Sequence, residues 1–489
     1  MDIFRTKSVE QSIRDTESPD HQLRKRLTAV DLTVFGIGVI VGTGIFVLTG
    51  QVAKEVAGPA VAISFVVAGV VCGLAALCYA EFASTIPVAG SAYTFAFATL
   101  GEFTAWVIGW DLLLELALAA AVVAVGWSGY VASLLASLGL ALPEYIAGDD
   151  PVVNVPAMLI VLALTVVLVA GIKVSSRVNL VLVIVKVTVV LLVILAGLFF
   201  VKAANYTPFI PEAQATERVE GVQAPLIQLI FGITPVAFGV IGVFSAAAIV
   251  FFAFIGFDIV ATAAEETIEP QRDVPRGILA SLGICTVLYV AVSLVVVGMQ
   301  HYSDLSTAAP LSDAFIAVGQ PWLATIISLG AVAGLTTVVL VLLLGQTRVL
   351  FAMCRDGLLP RGLATVSPAF GTPARLTILI GAVTMALAGF VPFGELAELV
   401  NIGTLFAFVV VSAGVIVLRR TRPDLPRAFR VPLVPVLPIL SVLACLYLML
   451  NLPAETWLRF VIWMIVGVVL YFAYGYWHSR AATPWQKRG

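Results

Sequence analysis

The chain has 489 residues, 61% of them apolar and only 11% charged, against roughly half apolar and a quarter charged in an average soluble protein. Its 27 basic and 29 acidic side chains leave a formal net charge of -2, which excludes a bulk basic field for nucleic acid and an acidic disordered tail. What remains is a polytopic membrane protein with length for about a dozen helical spans of ~20 apolar residues each. Cys72, Cys78, Cys285, Cys354 and Cys445 lie in apolar segments without metal-type spacing and read as small packing residues. His21, His301 and His478 are too scattered for an intramembrane metal site, and Met1 to Asp20 lacks the apolar core of a cleavable signal.

In chain order, the apolar runs place spans at 31–55, 58–86, 97–124, 153–171, 175–201, 244–266, 277–299, 323–351, 375–392, 395–418, 434–452 and 456–477. The expected fold is an all-α membrane protein of twelve transmembrane helices with both ends on one side. The stretch 222–243, VQAPLIQLIFGITPVAFGVIGV, is broken by Pro225 and Pro235 and reads as a helix lying in the outer interface rather than a further crossing. The units are then a cytoplasmic N-terminal segment (1–30), a first five-helix repeat (31–201), an extracellular connection (202–243), a second five-helix repeat (244–418), helices 11 and 12 (419–477) and a cytoplasmic tail (478–489). Of the 27 basic residues, all but Lys54, Lys202, Arg218, Arg459 and the intraspan Lys186 fall on the side of the N-terminus. The positive-inside rule makes that side cytoplasmic in a multi-pass cell-membrane protein. An extra crossing at 222–243 would spoil this division.

Span 1 reads DLTVFGIGVIVGTGIFVLTG, with Gly36, Gly38, Gly42 and Gly44 close together and Thr43 between the last two. Glycine is disfavoured inside a helix and reaches conformations closed to other residues, so Gly42-Thr43-Gly44 is the expected point of unwinding. Gly38 and Gly42 also form a small-xxx-small pair suited to helix packing. The spacing is not the G-x-G-x-x-G of a nucleotide fingerprint. Span 6 reads FSAAAIVFFAFIGFDIVATAAEET, with Gly256 in mid-span and Asp258 just after it. Unsatisfied backbone at membrane depth is tolerated only where it is buried in protein or lines a cavity. Paired glycine-interrupted spans at corresponding positions of two halves point to a transporter site. Spans 1 and 6 hold equivalent places in two five-span repeats, and because five is odd the second repeat is inverted. A half-helix starting after Gly44 offers N–H groups and a positive dipole end to a carboxylate, while carbonyls near Ile255 suit an ammonium. An α-amino acid carries both charges.

The segments GIGVIVGTGIF, FFAFIGFDIVATAAEET running into EPQRDVPRGI, GQTRVLFAMCRDGLLP and NIGTLFAFVVVSAGVIVLRRTRPDLPRAFRVPLVPVLP resemble the cationic amino acid transporter family of the amino acid, polyamine and organocation superfamily. The resemblance runs from about Leu27 to Tyr476. Two departures are Glu269, where an Asn commonly precedes the Pro-Gln-Arg-Asp run, and the insert at 222–243. The resemblance implies a leucine-transporter-type 5+5 inverted repeat followed by two further helices. It also implies that a substrate α-carboxylate meets the backbone of Thr43 and Gly44, with the Ile40 carbonyl nearby, and that the α-amino group meets the carbonyls of Phe252, Ala253 and Ile255. Phe252 is similar to the aromatic lid of that family, although Phe251, Phe252, Phe254 and Phe257 are also ordinary membrane residues.

An ionisable residue deep in hydrocarbon is a functional candidate by default. Lys186, in NLVLVIVKVTVVLLVILAG, lies near the centre of span 5, and a lysine at this place in relatives resembling the chain occupies the position of the second sodium ion of sodium-coupled cousins. It is the expected proton-coupling residue, donating to span 1 carbonyls when charged, with a structural tether between spans 1, 5 and 8 as the alternative role. Asp111 and Glu115 are four residues apart on one face of span 3. With Asp258, Glu115 is a candidate for lining the side-chain end of the pocket and pairing with a cationic substrate; buried hydrogen bonding to neighbouring helices is the competing role. Glu81, Glu265 and Glu266 are expected at an inner gate, paired with Arg348 or Arg272, and the hydroxyls of Thr336 and Thr337 are expected to hydrogen-bond Lys186.

The leading reading is a secondary transporter that symports an L-amino acid, cationic or small neutral, with protons by alternating access. Its partners are substrate, protons and the lipid bilayer, with no cofactor, no metal and no nucleic acid. An exchanger without proton coupling is the nearer competitor, and the intramembrane lysine argues against it. A membrane-embedded transferase would need acidic or histidine clusters in sizeable aqueous loops, and a receptor of the same fold would usually carry a signalling domain. Val338 and Leu342 of span 8 are candidates for limiting side-chain length.

Overall fold

The computed structural model describes residues 25–86, 91–147, 151–171, 176–215, 221–232, 236–367 and 370–479. Thr28 opens the first helix, Ala29–Ile40: its hydroxyl and amide donate to the Asp31 carboxylate, and the Asp31 amide donates back to the Thr28 hydroxyl at 3.4 Å. Two orphan N–H groups of the helix start are thereby satisfied. The chain just before it is pinned to the end of the sixth expected span, since the amide of Leu27 donates to Glu266 and that of Ile268 donates to Leu27.

The described chain is almost wholly helical. Eight helices are long and apolar enough to cross a membrane, and Ala29–Ile40, Val155–Val169, Ala374–Phe390 and Val436–Leu450 are shorter apolar ones. This is a multi-pass membrane protein. Many large apolar side chains point outward along these helices, among them Val70, Ile184, Val287 and Val469, as expected where the solvent is lipid. All five cysteines are free and buried.

Several boundaries differ from the sequence reading. The third expected span begins not at 97 but at Glu102, and its helix runs on to Ser137. A separate helix, Ser91–Thr99, precedes it, because Gly101 turns the chain at φ +97°, a conformation closed to most residues. The sixth starts at Gly239 rather than 244, since Val240, Ile241 and Val243 continue the helical pattern. Within the 222–243 stretch, Leu226–Phe231 forms a short helix with Leu229, Ile230 and Phe231 exposed. Residues 233–235, including Pro235, lie outside the described residues. A two-residue strand pair, Gln214–Ala215 with Val236–Ala237, closes the connection. The helix Pro310–Ala317 was, like Ser91–Thr99, not expected from the sequence.

The helices pack in a pattern. Val61–Thr85 lies against Pro270–Met299, Glu102–Ser137 against Pro321–Arg355, and Val155–Val169 against Ala374–Phe390. Glu102–Ser137 also meets Phe393–Thr421, and Ser176–Gly197 meets Pro321–Arg355. At the end of the bundle that carries Thr85, the buried Glu81 receives two hydrogen bonds from the Arg419 guanidinium (2.9 and 2.6 Å) and one from the Val431 amide (2.7 Å). The Arg427 guanidinium stands 3.4 Å from it. This corrects the expected inner-gate pairing: Glu81 is matched by the last turn of Phe393–Thr421 and the loop after it, whereas Arg272 pairs with Glu269 and Arg348 is exposed. The Glu265 side chain lies outside the described residues, and the Glu266 carbonyl accepts from Arg26 and Leu27.

Candidate substrate site

Two interruptions of regular helix face each other in the core. The first helix stops at Ile40, Val41 is extended (φ -71°, ψ 93°), and hydrogen bonding resumes with the amides of Ile45 and Phe46 on the Gly42 carbonyl. The amides of Thr43 and Gly44 therefore stand ahead of the first bond of the new segment, where a helix start leaves donors free. In the other interruption, Gly239–Val250 tightens to a 3-10 turn at Phe251–Phe254, Ile255 is extended, and Gly256 takes φ +112° before a second 3-10 run, Asp258–Glu266.

Glycine is what lets these breaks touch. A Cβ on Gly44 would come within 2.3 Å of the Ala253 Cα, and one on Gly256 within 2.6 Å of the Val39 side chain. Gly42 differs: a Cβ there would meet Val338 at 3.7 Å and the Ile40 carbonyl oxygen at 3.9 Å, both ordinary contacts. The Tyr289 hydroxyl lies 2.7 Å from both the Ile40 and the Ala253 carbonyl oxygens, and donates to one or the other. It thereby stitches the two breaks together. Of the other expected acceptors, the Phe252 carbonyl takes the Ile255 amide at 3.2 Å.

The expected side chains divide into two groups. Thr43, Phe252, Ala253 and Ile255 are all buried at the breaks, and the Thr43 hydroxyl has no partner among the described residues. Phe251 and Phe257 pack edge-on or tilted against Phe408, and Phe254 likewise against Tyr289 and Phe65, while Phe252 joins none of these ring pairs. Asp111 and Glu115 of Glu102–Ser137 come together with Asp258 from the second break, near enough for their charges to interact. Both Asp111 carboxylate oxygens, one of Glu115 and one of Asp258 are buried without a partner among the described residues. Gly403 admits them closely, a Cβ there falling 2.9 Å from Asp111 Oδ1.

Lys186 lies elsewhere. Its fully buried ammonium donates to the carbonyls of Gly38 and Val41, the latter at 3.3 Å, and its aliphatic stem lies against Gly334. The expected bonds from Thr336 and Thr337 are absent. Thr336 donates to Val332 and accepts from the Trp127 indole, and Thr337 donates to Gly334, because a helical Thr hydroxyl reaches its own preceding turn most easily.

Three residues of this neighbourhood escaped the sequence reading. Tyr289 has no local signal inside an apolar span. Asn401 donates to the Ala248 and Ile249 carbonyls at 2.9 and 3.4 Å, in the last turn of Gly239–Val250; a lone amide in span 10 was the available clue. Gln346 donates to the Leu113 carbonyl at 3.0 Å.

The amino acid permease family profile matches residues 27–471. The chain is 50% identical over 486 residues to the branched-chain amino acid permease of Bacillus subtilis, covering 98% of both. It is 47% identical over 482 residues to the methylthioribose transporter of the same organism, again covering 98% of both. The vacuolar cationic amino acid transporter 4 of Arabidopsis thaliana is 39% identical over 427 residues, which is 86% of this chain and 68% of that one. These relatives are transporters and not enzymes, and the chain belongs to the amino acid permease family.

Proposed function

We propose that this protein is a secondary active transporter that imports L-amino acids across the cell membrane by proton symport with alternating access. The observation that carries the reading is the apposition of the two helix breaks at Gly44 and Ala253, with the first amides of a helical segment on one side and carbonyls on the other. The α-carboxylate binds at the Thr43 and Gly44 amides, and the α-amino group at the carbonyls of Phe252, Ala253 and Ile255, with Ile40 beside them. Since Tyr289 holds the Ile40 and Ala253 carbonyls, substrate entry shifts that hydroxyl onto one of them. Phe252 closes the pocket. Lys186 carries the coupled proton: charged, it ties the Gly38 and Val41 carbonyls; neutral, it releases them and frees the first helix to move.

Twelve crossings as a 5+5 inverted repeat plus two helices, with the termini cytoplasmic, fit the packing. Equivalent helices two and seven, three and eight, and four and nine lie against each other, and the three-ten contact has its counterpart in eight-five. A two-fold relation between repeats generates such pairs. The same scheme keeps the 31–201 and 244–418 repeats and leaves the short helix Leu226–Phe231, with its exposed apolar residues, at the outer interface.

The substrate is a neutral aliphatic amino acid in the leading version, on the likeness to the branched-chain permease and the Val338 wall at Gly42. A cationic substrate is the second reading, because the carboxylates of Asp111, Glu115 and Asp258 keep unpartnered oxygens. Proteoliposome uptake of labelled leucine, competed by alanine, arginine, lysine and methylthioribose, separates them. Competition by arginine and lysine but not by alanine would favour the cationic reading, competition by methylthioribose alone would exclude both, and uptake driven only by internal amino acid would establish an exchanger.

A further inference from the structure

We infer that a cavity at the Thr85 end of the bundle is a binding site for the headgroup of an anionic phospholipid, whose acyl chain lies along the outer face of helix Pro270–Met299. The cavity, of about 220 Å³, is lined by Arg272, Pro275, Arg276 and Leu279 from the first turns of that helix and by Ala428 and Phe429 from the loop opposite. Two guanidinium groups one turn apart thus share a recess whose other walls are apolar, which is the composition that a charged headgroup joined to a hydrocarbon chain requires.

The recess is built rather than incidental. Its far wall is held in place, because the Phe429 amide and carbonyl both bond the Ser84 hydroxyl at 3.3 Å, and the loop around it is tied to Glu81 through Arg419 and Val431. Burial first, then the neighbouring Arg419 and Arg430, push the Arg427 guanidinium below its usual range, so the end of the molecule beside the cavity is crowded with positive charge. Arg276 is exposed and makes no ion pair among the described residues, where Arg272 has only the exposed Glu269 at 2.9 Å, a weak type of surface pair. Both are available to a phosphodiester.

The depth is also right. From Ile278 to Met299 the helix is long enough to cross ~30 Å of hydrocarbon, so Arg276 stands at the boundary where phosphates lie. Continuing from Arg276, the exposed residues Ala280, Ile284 and Val287 recur on one helical face, and Gly283 leaves open space beside them, with no atom within 4 Å of an added Cβ. That strip suits an acyl chain and has no use for a free phosphate.

The test is to titrate the purified full-length protein in dodecyl maltoside with dioleoylphosphatidylglycerol, dioleoylphosphatidylcholine or inorganic phosphate, reading retained lipid by native mass spectrometry and the melting temperature. The inference expects phosphatidylglycerol to be retained and to raise the melting temperature more than the other two. Arg276→Gln is expected to weaken retention roughly fivefold, with a further loss on adding Arg272→Gln. Gly283→Phe, which keeps both arginines, is expected to weaken it by blocking the strip, whereas Lys202→Gln at the other end leaves it unchanged. Equal retention of phosphatidylcholine, undiminished retention in the double arginine variant, or a full stabilisation by inorganic phosphate alone would overturn it.

Discussion

Single side chains separate the proposed site from ordinary helix packing. Gly42 and Gly44 look alike in sequence, yet a methyl group at Gly44 collides with the Ala253 backbone while one at Gly42 meets Val338 and the Ile40 carbonyl oxygen at ordinary contact distance. Gly44→Ala is therefore expected to lower stability by about 1–3 kcal/mol, the usual cost of overpacking, and to abolish uptake; Gly42→Ala is expected to keep both. Purified yield, melting temperature and proteoliposome uptake check the pair, and equal behaviour of the two variants would contradict the close apposition. Tyr289→Phe leaves the Ile40 and Ala253 carbonyls without their shared donor and is expected to cost about 1–3 kcal/mol, with a weakened apparent substrate affinity. The glycines were legible because their backbone freedom is intrinsic to the residue. Tyr289 was not, since a tyrosine among apolar neighbours carries no sign of which distant carbonyls it will reach.

Among the elements, the loop between Phe393–Thr421 and Val436–Leu450 behaves as a clasp on the end of Val61–Thr85. Removing one partner of a buried, hydrogen-bonded ion pair strands the other. Glu81→Ala is expected to destabilise the protein by about 3–5 kcal/mol, read as a lowered melting temperature; an unchanged value would show that the clasp is ornamental. Outside the spans, a hydrogen bond from Arg422 holds the Asp424 carboxyl below the usual carboxylate range. A depressed folded value means that its stabilising effect is present above the unfolded value of about 3.9 and is lost only as pH falls through the folded one. Asp424→Asn is accordingly expected to leave the pH profile of uptake unchanged between about pH 5 and 8. The helices themselves were legible from apolar run length, but their ends were not. Gly101 splits a segment that hydropathy joins, and Pro310–Ala317 is a short helix within a polar connection. The match of Glu81 to Arg419 joins residues far apart in sequence, and local pattern gave no reason to prefer Arg419 over Arg348.

At the scale of the whole molecule, the small charged fraction divides by position. Two basic residues line the cavity beside Phe429, and four ionisable groups, Lys186, Asp111, Glu115 and Asp258, are buried in the bundle. Membrane class and family were legible because lipid imposes run length and charge asymmetry on the sequence itself. That Thr336 and Thr337 bond their own helix and the Trp127 indole rather than Lys186 was not, because it depends on how the helices cross. The proposed role of Lys186 as carrier of the coupled proton is tested most directly by accumulation of labelled amino acid in proteoliposomes under an imposed inward proton gradient, with counterflow exchange measured in parallel. Wild-type protein is expected to accumulate substrate, and Lys186→Ala to lose gradient-driven accumulation while keeping counterflow. Undiminished accumulation by Lys186→Ala would contradict that role.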